Sequence, residues 1–112
     1  MANIYKNAFF NPADTANTVI YATDTLTRAI IQNIQITNTG GSKNVTARVT
    51  DSSATTSYIV AYAAVTGPTI CNITKGPIIL EESDSISLET STTSAITASL
   101  ALLEISRDDQ NG

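Results

Sequence analysis

Apolar and polar residues alternate along most of this chain, and this period of two limits its fold more than any other feature. Between positions 44 and 51, for example, Val45, Ala47 and Val49 occupy every second position. Successive side chains of a β-strand point to opposite faces, so this spacing predicts a strand with one buried and one solvated face. The abundance of Thr and Ile also favours strands over helices.

Turn-forming residues divide the chain into eight or nine short predicted strands. The strands are predicted at residues 3–10, 19–21, 28–38, 44–51, 58–65, 70–73, 78–80, 86–88 and 95–105. Short alternating strands at this spacing predict an all-β fold, either an antiparallel β-sandwich with jelly-roll-like topology or a small barrel. Residues 1–106 are predicted to form one domain, followed by a polar tail over 107–112. A helix over 95–105 is the alternative, but Thr97 and Ser99 weigh against it.

The same alternation assigns individual residues to strand faces. In the third strand it places Ile30, Ile34 and Ile36 on one face and Ile31 on the other. In the last strand Leu103 and Ile105 fall opposite the main apolar face, so that strand is either covered on both sides or bulged.

Two further local features are predicted from residue type. Ile4, Tyr5, Phe9 and Phe10 make the first strand available for burial. The segment Asn38-Thr39-Gly40-Gly41-Ser42 predicts a hairpin turn, because consecutive glycines permit positive φ angles.

Composition argues against several functional classes. The chain contains no His and a single Cys, which argues against Ser-His-Asp and Cys-His catalysis, His- or Cys-rich zinc sites and an internal disulfide framework. Its formal net charge is −4, which disfavours nucleic acid or an anionic membrane as a partner. We therefore expect a protein that is not an enzyme and has no cofactor, with no catalytic, cofactor-binding or metal-binding residues.

Two candidate chemical sites have simpler structural interpretations. Cys71 could act as a nucleophile only if its thiol pKa were lowered, and Lys75 is the nearest basic residue, so a buried structural cysteine is favoured. Glu81, Glu82 and Asp84 could contribute to a calcium site, but their spacing does not match an EF-hand. A solvated turn between two strands is the favoured interpretation.

Aromatic and basic residues give no clear ligand site either. A sugar-stacking platform could be built from the four tyrosines, but the apolar pattern around them favours packing in the core or between subunits; they are Tyr5, Tyr21, Tyr58 and Tyr62. Arg28, Arg48 and Arg107 are scattered and form no basic patch.

The first residues, MANIYKNAFF, lack the apolar run of a signal peptide, and no stretch is long enough to span a membrane as a helix. We therefore expect synthesis and folding in a cytoplasm. Strands rich in Ile, with few charges to guard an edge, favour a protein that works by assembling with other chains.

The order of segments resembles that of small virion proteins of tailed bacteriophages. The resemblance covers residues 3–105 and is carried by Ile4-Tyr5-Lys6, residues 18–21, residues 29–39 with the Gly/Ser turn after them, residues 49–53 with Tyr58, residues 80–86 and Leu103-Glu104-Ile105. It implies a β-sandwich decoration (cement) protein on the outer surface of the phage capsid, assembled in the host cytoplasm. The implied partners are the major capsid protein and further copies of this chain, as a homotrimer. The N-terminal segment or the tail would then lie against the capsid protein.

Two alternatives stay open. One is a small structural protein of the tail, baseplate or neck. The other is a receptor- or carbohydrate-binding module of a phage fibre, for which Tyr58 and the turn from Glu81 to Asp84 are the only candidates.

Overall fold

The structure, a computed structural model, describes residues 2–93 and 95–106 and contains nine β-strands and no helix within those ranges. The strands are β1 (Ala2–Phe10), β2 (Thr18–Ala22), β3 (Thr27–Asn38), β4 (Lys43–Asp51), β5 (Thr56–Val65), β6 (Thr69–Asn72), β7 (Ile78–Leu80), β8 (Ser85–Thr90) and β9 (Ile96–Ser106). All nine predicted strands are present, and the predicted all-β class is confirmed. The predicted tail lies outside the described residues.

The strands form two antiparallel sheets that pack as a sandwich. The five-stranded sheet has the order β1-β9-β3-β6, with β7 pairing beside β6 on the same edge of β3. The four-stranded sheet has the order β2-β8-β4-β5. Apart from the β4–β5 hairpin and the step from β6 to β7, each connection passes from one sheet to the other. This is the topology of a jelly roll, with β6 and β7 sharing the place of one strand.

The core lies between the sheets and is built from the inward residues of the central strands. Ile34, Ile36, Leu88 and Leu100 are each at most 1 % exposed. Val45, Ala47 and Val49 are also buried, which confirms the face assignment for β4.

No helix in the described part of the chain is long and apolar enough to cross a membrane.

A β-bulge in β3 changes which isoleucines reach the core. Ile31 lies opposite Leu102 and Asn33 lies opposite Ala101, so Gln32 is an extra residue on β3. The extra residue shifts the phase of the strand, and Ile31 is fully buried while Ile30 points to the other face. The prediction that Ile30 shares a face with Ile34 and Ile36 is therefore wrong. The bulge that Leu103 and Ile105 suggested lies in β3 rather than in β9.

The segment after β3 is a corner between sheets and not a hairpin, because β3 and β4 belong to different sheets. Neither glycine in it has a positive φ angle. Buried Asn38 holds the corner: its amide donates to the carbonyls of Gly41 at 2.8 Å and Val65 at 3.2 Å. Gly67 packs so closely that a Cβ there would lie 1.9 Å from the carbonyl oxygen of Gly40. The hairpin prediction failed because the turn residues do not determine the partner strand: the next strand, β4, pairs with β5 and β8 in the other sheet.

Candidate functional site

The surface that faces away from the core on the five-stranded sheet is the most extensive candidate site. Residues directly opposite one another in an antiparallel pair point to the same side of the sheet. Tyr5 lies opposite Leu103, Leu103 opposite Ile30, and Ile30 opposite Ile79. These four residues form an apolar row across β1, β9, β3 and β7, in which Tyr5 is 76 % and Ile79 63 % exposed.

We call this whole surface the outer face. It consists of Asn3, Tyr5, Asn7 and Phe9 of β1, Arg28, Ile30, Asn33, Gln35 and Thr37 of β3, Ile70 and Asn72 of β6, Ile79 of β7, and Thr97, Ser99, Ala101, Leu103 and Ile105 of β9. Within this set Arg28 is the only charged residue, and its guanidinium is 3.0 Å from a carboxylate oxygen of Glu82. Depletion of charge with exposed aromatic and aliphatic residues is characteristic of protein interfaces.

The aromatic residues of β1 are more exposed than the sequence predicted. Tyr5, Phe9 and Ile4 are all largely exposed, and Phe10 alone of the four packs partly against the core. The reason is that β1 is an edge strand, and its odd-numbered residues lie on the outer face. Tyr5 and Phe9 are therefore not buried within the chain, although the sequence made them available for burial.

A cleft of about 450 Å³ opens at the side of the sandwich, between β5 of one sheet and β7 of the other. Its apolar wall is formed by Val49, Tyr58, Val60, Ile78 and Ile79, and its polar wall by Asp51, Glu81 and Asp84. The structure thus brings together Tyr58 and the acidic turn, the two features that the sequence offered for ligand binding. Tyr58 is 52 % exposed, so its ring is accessible from solvent.

Two of the cleft carboxylates bind the protein's own loops. Asp84 is buried, and its carboxylate accepts hydrogen bonds from the backbone amides of Ser52 and Glu81, each at 3.0 Å. Asp51 accepts from the amide and hydroxyl of Ser53, and these hydrogen bonds lower its pKa. The turn at Glu81–Asp84 is present, but it is not fully solvated as predicted. Among the described residues no group of three potential ligands could hold a metal ion.

The tyrosines are spread over the molecule and form no common platform. Tyr5 lies on the outer face, Tyr58 in the side cleft, and Tyr62 in a smaller pocket of about 220 Å³ with Thr46 and Glu89. Each of the three is more than half exposed, so none packs in the core, and packing between subunits stays a prediction. Tyr21 alone is partly buried against the core.

Tyr21 belongs to a polar cluster that sequence reasoning missed. Its hydroxyl donates a hydrogen bond to Glu104, and the ammonium of Lys6 lies 3.3 Å from the other carboxylate oxygen of Glu104. Burial and then the Glu104 hydrogen bond raise the pKa of Tyr21. The cluster ties β2 of one sheet to β1 and β9 of the other. Its sequence signal was Glu104 itself, an acidic residue in an otherwise apolar strand.

The remaining candidate residues, Cys71 and two of the arginines, make contacts that stabilise the fold. Cys71 is a free cysteine that is only partly buried and packs against the core, so it is less enclosed than predicted. The Arg48 guanidinium lies 2.6 Å from a carboxylate oxygen of Glu89 on the neighbouring strand β8. Arg28 and Arg48 therefore both pair with acidic residues and lie on different sheets. Arg107 lies outside the described residues.

No protein-family model matches the chain. No curated protein matches it either. The solved structures that are similar to it in fold include three with TM-scores of 0.50 to 0.52. The first is a protein of the disulfide-linked pili that form Bacillus endospore appendages, with a TM-score of 0.52 and 14 % identity over 91 % of this chain and 85 % of that one.

The second is the CBM22-1–GH10 part of xylanase 10B from Clostridium thermocellum, solved with xylohexaose. Its TM-score is 0.51, with 11 % identity over 88 % of this chain and 21 % of that one. The third comes from the Gx strain of infectious bursal disease virus, with a TM-score of 0.50 and 10 % identity over 96 % of this chain and 30 % of that one. At these identities the likeness shows the shared fold, and function has to be inferred from the surfaces of this chain.

Proposed function

We propose that this chain is a virion structural protein of a tailed bacteriophage, and specifically a decoration protein that binds the lattice of the major capsid protein. The observation that carries the proposal is the outer face, which presents an apolar row and one paired charge. A face of this kind suits a flat protein partner better than a soluble ligand or a nucleic acid. We propose a phage head as the location because the order of strands and turns resembles that of small virion proteins of tailed bacteriophages.

The outer face is large enough for a specific contact. Strands lie about 4.8 Å apart and rise about 3.3 Å per residue, so a face four strands wide and as long as the 11 residues of β9 covers roughly 700 Å². A specific interface buries about 600–1,000 Å² on each partner, and the area of the outer face lies within this range. Repeated contacts around a symmetric junction of the shell would then add avidity. We propose the trimer implied by the resemblance as the arrangement at such a junction.

Copy number is the decisive measurement. We expect quantitative gels of purified particles of the phage that encodes this chain to show hundreds of copies per particle. A count of about a dozen or fewer, as expected for a single symmetric ring, would instead assign the chain to the tail, baseplate or neck. Absence from purified particles would contradict a virion role altogether.

A matched pair of variants connects the proposal to the outer face. Ile70→Lys places a charge on the outer face at a position that is 63 % exposed and lies outside the side cleft, and Tyr62→Lys places the same charge on the other sheet, where the side chain is 61 % exposed. We expect Ile70→Lys to reduce binding to undecorated particles in a co-sedimentation assay, and Tyr62→Lys to bind like the unmodified chain. Equal binding by both variants would exclude the outer face as the docking surface.

The side cleft supports a second candidate function, a receptor- or carbohydrate-binding module. An exposed tyrosine ring beside carboxylates is an arrangement that can stack on a sugar and accept hydrogen bonds from its hydroxyls. Glycan-array binding by the purified chain that is lost in Tyr58→Ala and kept in Tyr62→Ala would favour this function over the decoration role.

A further inference from the structure

The two sheets have four lateral edges, and three of them carry features that oppose pairing with another chain. β2 has five residues and a register shift between Val19 and Tyr21. β5 has an extra residue, Val60, opposite the step from Ala47 to Arg48. The edge beside β3 is split into β6 and β7, of four and three residues. Short, bulged and interrupted edge strands are the usual protection against edge-to-edge association.

The fourth edge, β1, carries none of these features. It has nine residues, contains no Pro, and pairs with β9 over its whole length without a register shift. Its only charged residue is Lys6, whose ammonium is 3.3 Å from Glu104 and is therefore partly neutralised. Tyr5 and Phe9, 76 % and 68 % exposed, stand along this edge. A long, regular and apolar edge strand is a template for pairing with another strand.

We propose that β1 pairs antiparallel with β1 of a second copy of this chain, about a two-fold axis that passes beside Asn7. In this register Asn7 lies opposite Asn7, and Tyr5 lies opposite Phe9 on both sides of the axis. Lys6 lies opposite Ala8, so no like charges face one another. A register centred on Lys6 would instead place two ammonium groups opposite each other, which is unfavourable.

The register itself favours a second copy as the occupant of this edge, because it places Tyr5 opposite Phe9 twice and sets no charge opposite a like charge. The chain has a net charge of −4, so repulsion between two copies is smallest when they meet at surfaces with little charge. The β1 edge and the outer face beside it are such surfaces. Pairing would join two five-stranded sheets into one ten-stranded sheet, with the outer faces of both copies on the same side.

The inference deepens the proposed function, because the joined sheet would present twice the docking area to a capsid lattice. In a particle the same contact would connect chains of neighbouring trimers. The pairing can nevertheless be tested on the purified chain alone, so its failure is distinguishable from failure of the proposed function. A chain that stays monomeric and still decorates particles would overturn the pairing and leave the decoration role intact.

Cysteine cross-linking tests both the contact and its register. Asn7→Cys and Asn3→Cys are made in a Cys71→Ala background; both positions are on the same strand and the same face. In the proposed register the Cα atoms of the two Asn7 positions would lie about 5 Å apart, and those of the two Asn3 positions about 26 Å apart. We expect a disulfide-linked dimer after mild oxidation of Asn7→Cys and none for Asn3→Cys. Cross-linking of both variants alike, or of neither, would overturn the proposed register.

Sedimentation equilibrium provides an independent measurement of the same contact. We expect the unmodified chain to form dimers, and Tyr5→Lys to raise the dimer dissociation constant about tenfold, since each dimer loses two aromatic pairs. Tyr62→Lys adds the same charge on the other sheet and should leave the constant unchanged. Equal weakening by both variants, or a monomeric unmodified chain, would overturn the proposal.

Discussion

Asp84 connects three loops through its carboxylate and its backbone amide, although it lies in an acidic turn that the sequence marks as solvated. It accepts hydrogen bonds from the amides of Ser52 and Glu81, and the hydroxyl of Thr23 accepts one from the Asp84 amide. The β4–β5 hairpin, the β7–β8 turn and the end of β2 are thereby held at one end of the sandwich. The floor of the side cleft is fixed by these contacts.

We expect Asp84→Asn to lower the free energy of unfolding by about 1–3 kcal/mol, because one buried amide donor loses its acceptor while the side chain keeps its size. Urea denaturation followed by circular dichroism measures the change. Glu81→Gln is the control, since Glu81 is exposed in the same turn and should change stability by less than about 0.5 kcal/mol. Equal effects of the two substitutions on the free energy of unfolding would mean that the Asp84 hydrogen bonds do not stabilise the fold.

Tyr21 gives a prediction about pH. Burial and Glu104 raise its pKa in the folded state above the ordinary value of 10.0. Its contribution to stability is therefore complete below pH 10 and is lost as the pH rises from about 10 towards the folded pKa, because the unfolded chain ionises first. Between pH 8 and pH 11 we expect the free energy of unfolding to decrease more for the unmodified chain than for Tyr21→Phe. Tyr62→Phe, at an exposed position, should behave like the unmodified chain.

At the scale of whole strands, the bulge in β3 decides which of two adjacent isoleucines stabilises the core. Ile31 is fully buried opposite Leu102, whereas Ile30 lies on the outer face opposite Leu103. Simple alternation from Ile34 and Ile36 predicts the reverse. The two residues are of the same type and adjacent in sequence, so they form a matched pair for testing the bulge.

We expect Ile31→Ala to lower the free energy of unfolding by about 2–5 kcal/mol, since it leaves a cavity in the core. Ile30→Ala should cost less than half as much, because the side chain is already partly in contact with water. Chemical denaturation of both variants measures the difference. A larger effect at Ile30 would mean that β3 continues without a bulge at Gln32.

Strand positions could be predicted from the sequence because alternation is a local property. All nine strands were predicted, and the face assignment held for Val45, Ala47 and Val49 in β4. Bulges could not be predicted, since the extra residue is defined by the partner strand and not by its own neighbours. The glycines after β3 suggested a hairpin because residue type indicates a turn but does not indicate the partner strand. β4 pairs with β5 and β8 in the other sheet.

At the scale of the whole molecule, the candidate surfaces depend on contacts between segments that are distant in sequence. The apolar row combines Tyr5, Ile30, Ile79 and Leu103 from four strands, and no single segment reveals it. The side cleft likewise joins Tyr58 to Asp84 across the gap between the sheets. The sequence did predict that low edge charge would favour assembly, but only the strand order shows that β1 is the regular edge.

Net charge gives a prediction about how two whole chains approach. Each chain carries −4, and the proposed β1 contact contains no ion pair between copies, so the main electrostatic effect on dimerisation is repulsion between the remaining surfaces. Screening shortens from about 30 Å at 0.01 M salt to about 8 Å at 0.15 M. We therefore expect the dimer dissociation constant to fall as NaCl is raised over this range, as measured by sedimentation equilibrium.

Glu81→Lys supplies the control for this salt dependence. The substitution replaces one negative charge by one positive charge and so reduces the net charge of the chain from −4 to −2. Glu81 follows β7, which lies on the opposite edge of the five-stranded sheet from β1, so the contact itself is unchanged. We expect tighter dimers at low salt and a weaker response to NaCl for this variant. Dimers of the unmodified chain that dissociate as salt is added would show that ion pairs hold the copies together, which the proposed β1 contact does not contain.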